Sequence, residues 1–202
     1  TGEIRRMPLA DGSLAVINSG SELRLSFTEQ RRDVALTRGE AWFQVAKMPD
    51  RPFTVTAGPV NVQAVGTAFS VRRGTLATEV IVTEGTVKVW SDRAPEGEFV
   101  TAGHHARITD AGVTVAALDG EAADRQLAWR DGRIVFDDVP LSEAAAEFNG
   151  YHVEQIVVDP AFADRRVIGS FHTDDINGFA AASAAMVGGR VVRDDKAIRI
   201  IP

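Results

Sequence analysis

The 202-residue sequence predicts two domains of different class. The first is an all-β, antiparallel, sandwich-like N-terminal domain over residues 1–118. The second is a small α+β C-terminal domain of order βαβ–βαββ over residues 131–202, with a helical linker at 119–130. Three observations predict this. Apolar residues alternate with period two through the first 118 residues, broken by turn chemistry. From residue 140 the apolar spacing becomes helical, and strands and helices then alternate. The charge divides near the same place. Residues 1–118 hold 13 basic and 13 acidic residues, whereas 119–202 hold 9 basic against 15 acidic, the whole net charge of −6.

In the first region Leu23, Leu25 and Phe27 alternate, as do Val34 and Leu36, then Ala41, Phe43 and Val45. Phe53 to Ala57, Val60 to Ala64, Val80 to Val82 and Val87 to Val89 follow the same rule. β-Branched residues at period two mark half-buried strands. Asp11-Gly12, Asn18-Ser19-Gly20, Met48-Pro49-Asp50, Gly58-Pro59, Glu84-Gly85 and Ala102-Gly103 supply the turns. Eight to ten short strands at this spacing predict a two-layer sandwich or barrel. Gly39, Gly66 and Gly85 each precede an alternating run and predict a turn or bulge ahead of a strand.

Asp119 can cap a short helix through Leu127 and Trp129, with Trp129 packing inward. In the second region Arg133 to Phe136 reads as a strand. Pro140 to Asn149 reads as a helix with Leu141, Ala144, Ala145 and Phe148 on one face, begun by Pro140 and stopped by Gly150. Strands are predicted at His152 to Val158 and Arg166 to Phe171. A second helix follows, capped by Asp174 or Asp175, with Ile176, Phe179, Ala180, Ser183 and Val187 inward and Gly188-Gly189 as its stop. Arg190 to Arg193 and Ala197 to Ile201 close the chain as strands around a hairpin turn at Asp194-Asp195.

Composition excludes several functions. Without cysteine there is no disulfide, thiolate nucleophile or thiolate metal site. No basic stripe exists to neutralise phosphates, so no nucleic-acid partner is expected. The most apolar run, Phe179 to Val187, is far short of the roughly 20 residues that span a bilayer. A chain opening at Thr1 reads as a piece of something longer.

Several strings together resemble the FecR family of bacterial signal-transducing regulators. They are Asp11-Gly12-Ser13 with Asn18, Arg38 to Lys47 (RGEAWFQVAK), Arg51 to Val55 (RPFTV), Val65 to Val71 (VGTAFSV) and Thr83 to Val89 (TEGTVKV). Their order matches that family's periplasmic β-domain over roughly residues 3–110. Trp129 to Phe136 with Pro140-Leu141 match what usually follows, and the remainder resembles the short domain of secretins and TonB-dependent transducers (the STN domain). The resemblance implies the periplasmic region of a single-pass inner-membrane anti-sigma regulator in cell-surface signalling, with no enzymatic activity and no cofactor. The implied partner is the periplasmic signalling domain of an outer-membrane TonB-dependent transducer. It also implies control of an extracytoplasmic-function sigma factor and of uptake genes, often for iron chelates. Sigma-factor and membrane contact would run only through a cytoplasmic segment and an upstream helix outside this sequence.

Other chemistry fits the sequence less well. Glu40 and Glu84 are carboxylates beside glycines, as a glycosidase pair would be. They read better as turn residues. His104 and His105 are neighbours on one strand and point to opposite faces. His152 and His172 stand apart in sequence, and Asp174-Asp175 read as a cap, so no metal site is expected. Gly66-Thr67 lacks the following helix that a phosphate site would need. The expected partner-binding residues are therefore those of a free sheet edge in the α+β domain, at His152 to Val158 or Ala197 to Ile201: His152, Glu154, Gln155, Ile156, Val158, Arg199 and Ile201. The acidic excess there favours a partner with a basic face. The alternative is a glycan-binding β-sandwich of an envelope protein, which needs an exposed aromatic platform from Trp42, Trp90, Trp129 or Tyr151.

Overall fold

The computed structural model describes residues 2–194 and 197–202. The chain forms two compact units, Ile4–Ala123 and Asp124–Pro202, the latter joined by Gly2 and Glu3. The first unit holds β1 (Arg5–Pro8), β2 (Leu14–Ile17), β3 (Glu22–Phe27), β4 (Arg32–Gln44), β5 (Phe53–Ala57), β6 (Val60–Ala64), β7 (Ala68–Arg73), β8 (Thr78–Glu84), β9 (Thr86–Ser91), β10 (Ala94–Thr101), β11 (His104–Thr109) and β12 (Gly112–Ala117). These form two layers, β1-β2-β4-β7-β8-β11-β12 and β3-β4-β5-β6-β9-β10. The sandwich expected from the alternation is present, with twelve strands rather than eight to ten. All pairings are antiparallel except β4 with β5.

The strand common to both layers is β4. Its first half pairs with β3 and β5, its second with β2 and β7. The sequence read two strands here because the inward residues change parity, from Val34 and Leu36 to Ala41, Phe43 and Val45. In fact one 13-residue strand reverses its faces as it changes layers. The reversal occurs at Gly39, whose φ of 82° is open to glycine. A side chain there would also overlap Ser21, with a Cβ only 2.8 Å from the Ser21 Cα. Gly39→Ala is expected to destabilise the first unit by about 2 kcal/mol or more, read by urea unfolding. Gly66 and Gly85 sit just ahead of β7 and β9 with positive φ, as expected.

The layers enclose Leu36, Phe43, Phe53, Phe69, Val71, Val80 and Val89, all fully buried. Phe43 contacts Phe53 and Phe69 with ring centroids 5.5 Å apart in each pair. At one end Arg32 lies fully buried at the start of β4. Its Nη1 donates to Asp11 Oδ2 at 2.7 Å and to the Ala46 carbonyl at 3.0 Å, and its Nε donates to the Arg51 carbonyl at 2.8 Å.

Between the regions, α1 (Gly120–Leu127) begins as expected, with Ala122 N–H donating to Asp119 Oδ1, and a 3-10 turn then buries Trp129. The second unit contains β13 (Arg133–Pro140), α2 (Leu141–Asn149), β14 (Gln155–Val158), β15 (Arg166–His172), α3 (Ile176–Val187), β16 (Arg190–Arg193) and β17 (Ala197–Ile201). The βαβ–βαββ order is as expected. Pro140 ends β13 and stands just ahead of α2 rather than in its first turn, and Leu141, Ala144, Ala145 and Phe148 are buried as expected. Asp175 rather than Asp174 caps α3 by accepting from Gly178 N–H at 2.8 Å, and Gly188 ends it in a left-handed conformation. The expected hairpin turn at Asp194-Asp195 includes Asp195, outside the described residues. Strands β13 and β15 pair alone, while β14, β17 and β16 form a three-stranded sheet in that order. A ring cluster fills the core. Phe148 stacks on Phe179 at 4.2 Å, and Phe171 stands edge-on to Phe179 at 5.0 Å.

Candidate docking surface

The three-stranded sheet of the second unit decides between the two predicted edges. Strand β17 is its central strand, parallel to β14 and antiparallel to β16. Ala197 to Ile201 is therefore not an edge, which corrects half of the sequence reading. The pattern could not show this, because β14 finds its partner 42 residues further along the chain, at Gln155↔Ala197.

Strand β14 is an edge, but a covered one. Asn149, the last residue of α2, accepts from Ile156 N–H at 2.7 Å and donates to the Ile156 carbonyl at 2.9 Å. Its amide occupies the groups that an incoming strand would pair with. The strand is also shorter than expected. His152, Val153 and Glu154 lie ahead of it, and Gln155 Nε2 folds back to donate to the His152 carbonyl at 2.9 Å.

The expected partner-binding residues thus separate. Ile156 is buried, and Val158 turns to the same inward face, half-buried. His152 stacks on Phe148 with centroids 5.6 Å apart. Glu154 takes Arg193 in a fork, both contacts 2.9 Å. Gln155, Arg199 and Ile201 lie on the solvent face. There the register aligns Val157, Arg199 and Val192 in one row across three strands, with Arg190 opposite Ile201. Val157 and Val192 are 40% and 36% exposed, large for valines on a sheet face.

The other edge, β16, was not among the expected sites. All four of its residues are exposed. Asp194 N–H donates to the Ala197 carbonyl at 3.1 Å, which sets the phase of the ladder. Alternation along an antiparallel pair then turns the N–H and C=O of Val191 and Arg193 outward. The sequence signal was present in two valines between arginines on a four-residue strand. The sheet carries Arg190, Arg193 and Arg199, of which Arg193 pairs with Glu154 at 2.9 Å and Arg199 with Asp194 at 2.8 Å.

The remaining candidates do not converge. Glu40 lies opposite Arg72 and Glu84 opposite Ala68, on either side of β7. Strand spacing and rise put their Cα atoms on the order of 16 Å apart, beyond the reach of a glycosidase pair. Among the described residues no group of three or more His, Asp or Glu side chains could hold a metal. Trp129 and Tyr151 are buried. Trp42 and Trp90 are half-buried and face outward from different layers, so they form no common platform.

Comparison with known proteins places the first part of the chain. Residues 1–88 match the family described as FecR protein. The match ends at Lys88 in β9 and bears out the sequence resemblance over that stretch. No curated protein matches the chain. Two crystal structures of a candidate anti-sigma factor from Parabacteroides distasonis ATCC 8503 share its fold. One is 24% identical with a TM-score of 0.78, covering 98% of this chain and 94% of the other. The second is 23% identical with the same TM-score, covering 99% and 94%. The fold likeness therefore continues past the matched residues, through the three-stranded sheet. No helix among the described residues is long and apolar enough to cross a membrane.

Proposed function

We propose that this chain is the periplasmic sensing region of a membrane-anchored anti-sigma regulator. Its second unit docks the periplasmic signalling domain of an outer-membrane TonB-dependent transducer, and the first unit is a rigid stalk. The genes controlled in this reading, through an extracytoplasmic-function sigma factor, serve iron-chelate uptake. Support comes from the FecR match and from the fold shared with a candidate anti-sigma factor. The reading involves no catalysis. Residues 1–118 and 131–202 act as its two functional domains, with 119–130 as the joint.

One observation carries the docking site, the open outer edge of β16. A strand added there pairs with Val191 and Arg193 through the backbone and reaches the row of Val192, Arg199 and Val157, with Ile201 beside it. Arg193 and Arg199 already pair with Glu154 and Asp194, so backbone pairing and the valine row carry the affinity.

The test is titration of the chain with the purified signalling domain of a transducer from the same organism. Val191→Pro removes an outward N–H, a change an edge strand tolerates. It is expected to weaken binding at least about tenfold, or 1.4 kcal/mol, with the thermal melt unchanged. Asn149→Ala, which opens the β14 edge, should not weaken it. Unchanged binding by Val191→Pro would remove β16 as the site, and no binding by the parent chain would remove the transducer reading.

A further inference from the structure

The outer face of the β3-β4-β5-β6-β9-β10 layer is unlike an ordinary solvated sheet. Strand registers align two rows across it. One runs Ser26, Asp33, Thr54, Gln63, Lys88, Phe99, and the other runs Arg24, Ala35, Thr56, Asn61, Trp90. The middle of both rows is hydroxyl and amide. One end is aromatic. Phe99 is 71% exposed, and Trp90 is half-buried on the neighbouring strand. Phe99 lies opposite Lys88, two residues from Trp90 on the same face, and Trp90 faces the irregular stretch of β10 between Ala94 and Glu98. Gly97 keeps the ground beside the indole clear, since a Cβ there would lie 2.9 Å from Trp90 Cβ.

From this geometry we infer a glycan-binding platform, specific for a chain of β-1,4-linked pyranoses. The chemistry of the face selects that occupant. Aromatic rings accept the flat C–H face that a sugar with equatorial hydroxyls presents. Asn61 and Gln63 offer amide donors and acceptors to the hydroxyls at its edge. Asn61 Oδ1 already accepts from Thr56 Oγ1 at 2.8 Å, which orients its amide N–H groups for a ligand. A protein partner would call for an apolar centre, and the aromatics here are bordered by Asn61, Gln63 and Lys88 instead. The face is an open strand surface rather than a cleft, which suits an extended chain. This platform lies outside the second unit and does not rest on the transducer reading.

The experiment is native affinity electrophoresis of the whole chain in gels containing hydroxyethylcellulose, a soluble β-1,4-glucan, with dextran, an α-1,6-glucan, as comparison. Retardation is expected in the first gel and not in the second. Phe99→Ala should weaken it at least about tenfold, as loss of an aromatic anchor does. Gln63→Ala should weaken it less, and Leu76→Ala, at another exposed apolar side chain (84%), not at all. Thermal melts confirm that each variant is folded. Unretarded migration of the parent chain overturns the inference. So does equal retardation in dextran, or retardation that Phe99→Ala leaves intact. Loss of transducer binding by Val191→Pro with retardation preserved would separate the two sites.

Discussion

Asp11→Ala is expected to destabilise the first unit by about 3–5 kcal/mol at neutral pH. The reason is the charge left behind. Arg32 and Asp11 have no solvent-exposed side-chain surface, and their 2.7 Å contact is the only ion pair Arg32 makes among the described residues. The remaining partners of Arg32 are carbonyls of Ala46 and Arg51, and its Nη2 has none. Removing the carboxylate strands a guanidinium against the Phe53 ring, whose centroid lies 5.5 Å away. It also removes the acceptor for Ser13 Oγ and Ser13 N–H, and Ser13 Oγ in turn holds Ala46 N–H at 2.9 Å. Asp11 thus ties the β1–β2 turn to the start of β4 and to the segment after it.

The same site sets a pH dependence. Burial pushes the Asp11 carboxyl up. Hydrogen bonds from Ser13 Oγ, Arg32 and Ser13 N–H, with the Arg32 charge, outweigh burial and hold it below the ordinary value. A carboxylate depressed in the folded state contributes stability above its unfolded pKa, about 3.9, and loses that contribution as pH falls through the folded value. Urea unfolding of the parent and of Asp11→Ala should therefore show a gap that is full at pH 7 and narrows below about pH 4. A gap that is constant with pH would mean that the turn geometry matters and the charge does not. The double change Asp11→Leu with Arg32→Met should recover much of the loss, because it leaves no buried charge.

Local rules were legible in the sequence, and pairings distant along the chain were not. Asp119, Asp175 and Gly188 mark helix limits by chemistry confined to one or two turns, and each acts as read. The inward faces of α2 and α3 follow from spacing alone. The parity change between Leu36 and Ala41 was visible too, but alternation cannot distinguish two strands from one strand that reverses at Gly39. That distinction depends on Ser21 and Arg73, which sit opposite Gly39 from elsewhere in the chain. The docking surface failed at the same level. Periodicity marked strands at residues 155–158 and 197–201, while which of them is central depends on order within the sheet. Asn149 closing the β14 edge is a side-chain contact across seven residues, and no pattern announces it. Arg32 and Asp11 were each in view, but nothing in a list of charges says that two of them meet inside a core.

Phe148→Ala should be the most damaging single truncation in the second unit, at about 3–5 kcal/mol. Phe148 is fully buried and joins the two helices. From α2 it stacks on Phe179 of α3 at 4.2 Å with the rings 7° from parallel, and it meets Phe171 of β15 edge-on at 6.4 Å. Its outer side carries the His152 ring, also parallel. Removing the middle ring of this stack leaves a cavity that rigid strands on two sheets cannot close, so the loss exceeds the transfer term alone. Phe148→Leu keeps most of the volume and should cost less than half as much. The measurement is amide exchange during urea unfolding, because it reports each unit separately. In Phe148→Ala the amides of α3 and β17 should lose protection at lower urea, while those of β4 and β7 keep theirs. If the β4 and β7 amides shift equally, the two units unfold as one, and neither the Phe148 nor the Asp11 effect is confined to its own unit. If neither set shifts, the stack contributes no stability, and His152 and Phe179 must close the space that Phe148 leaves.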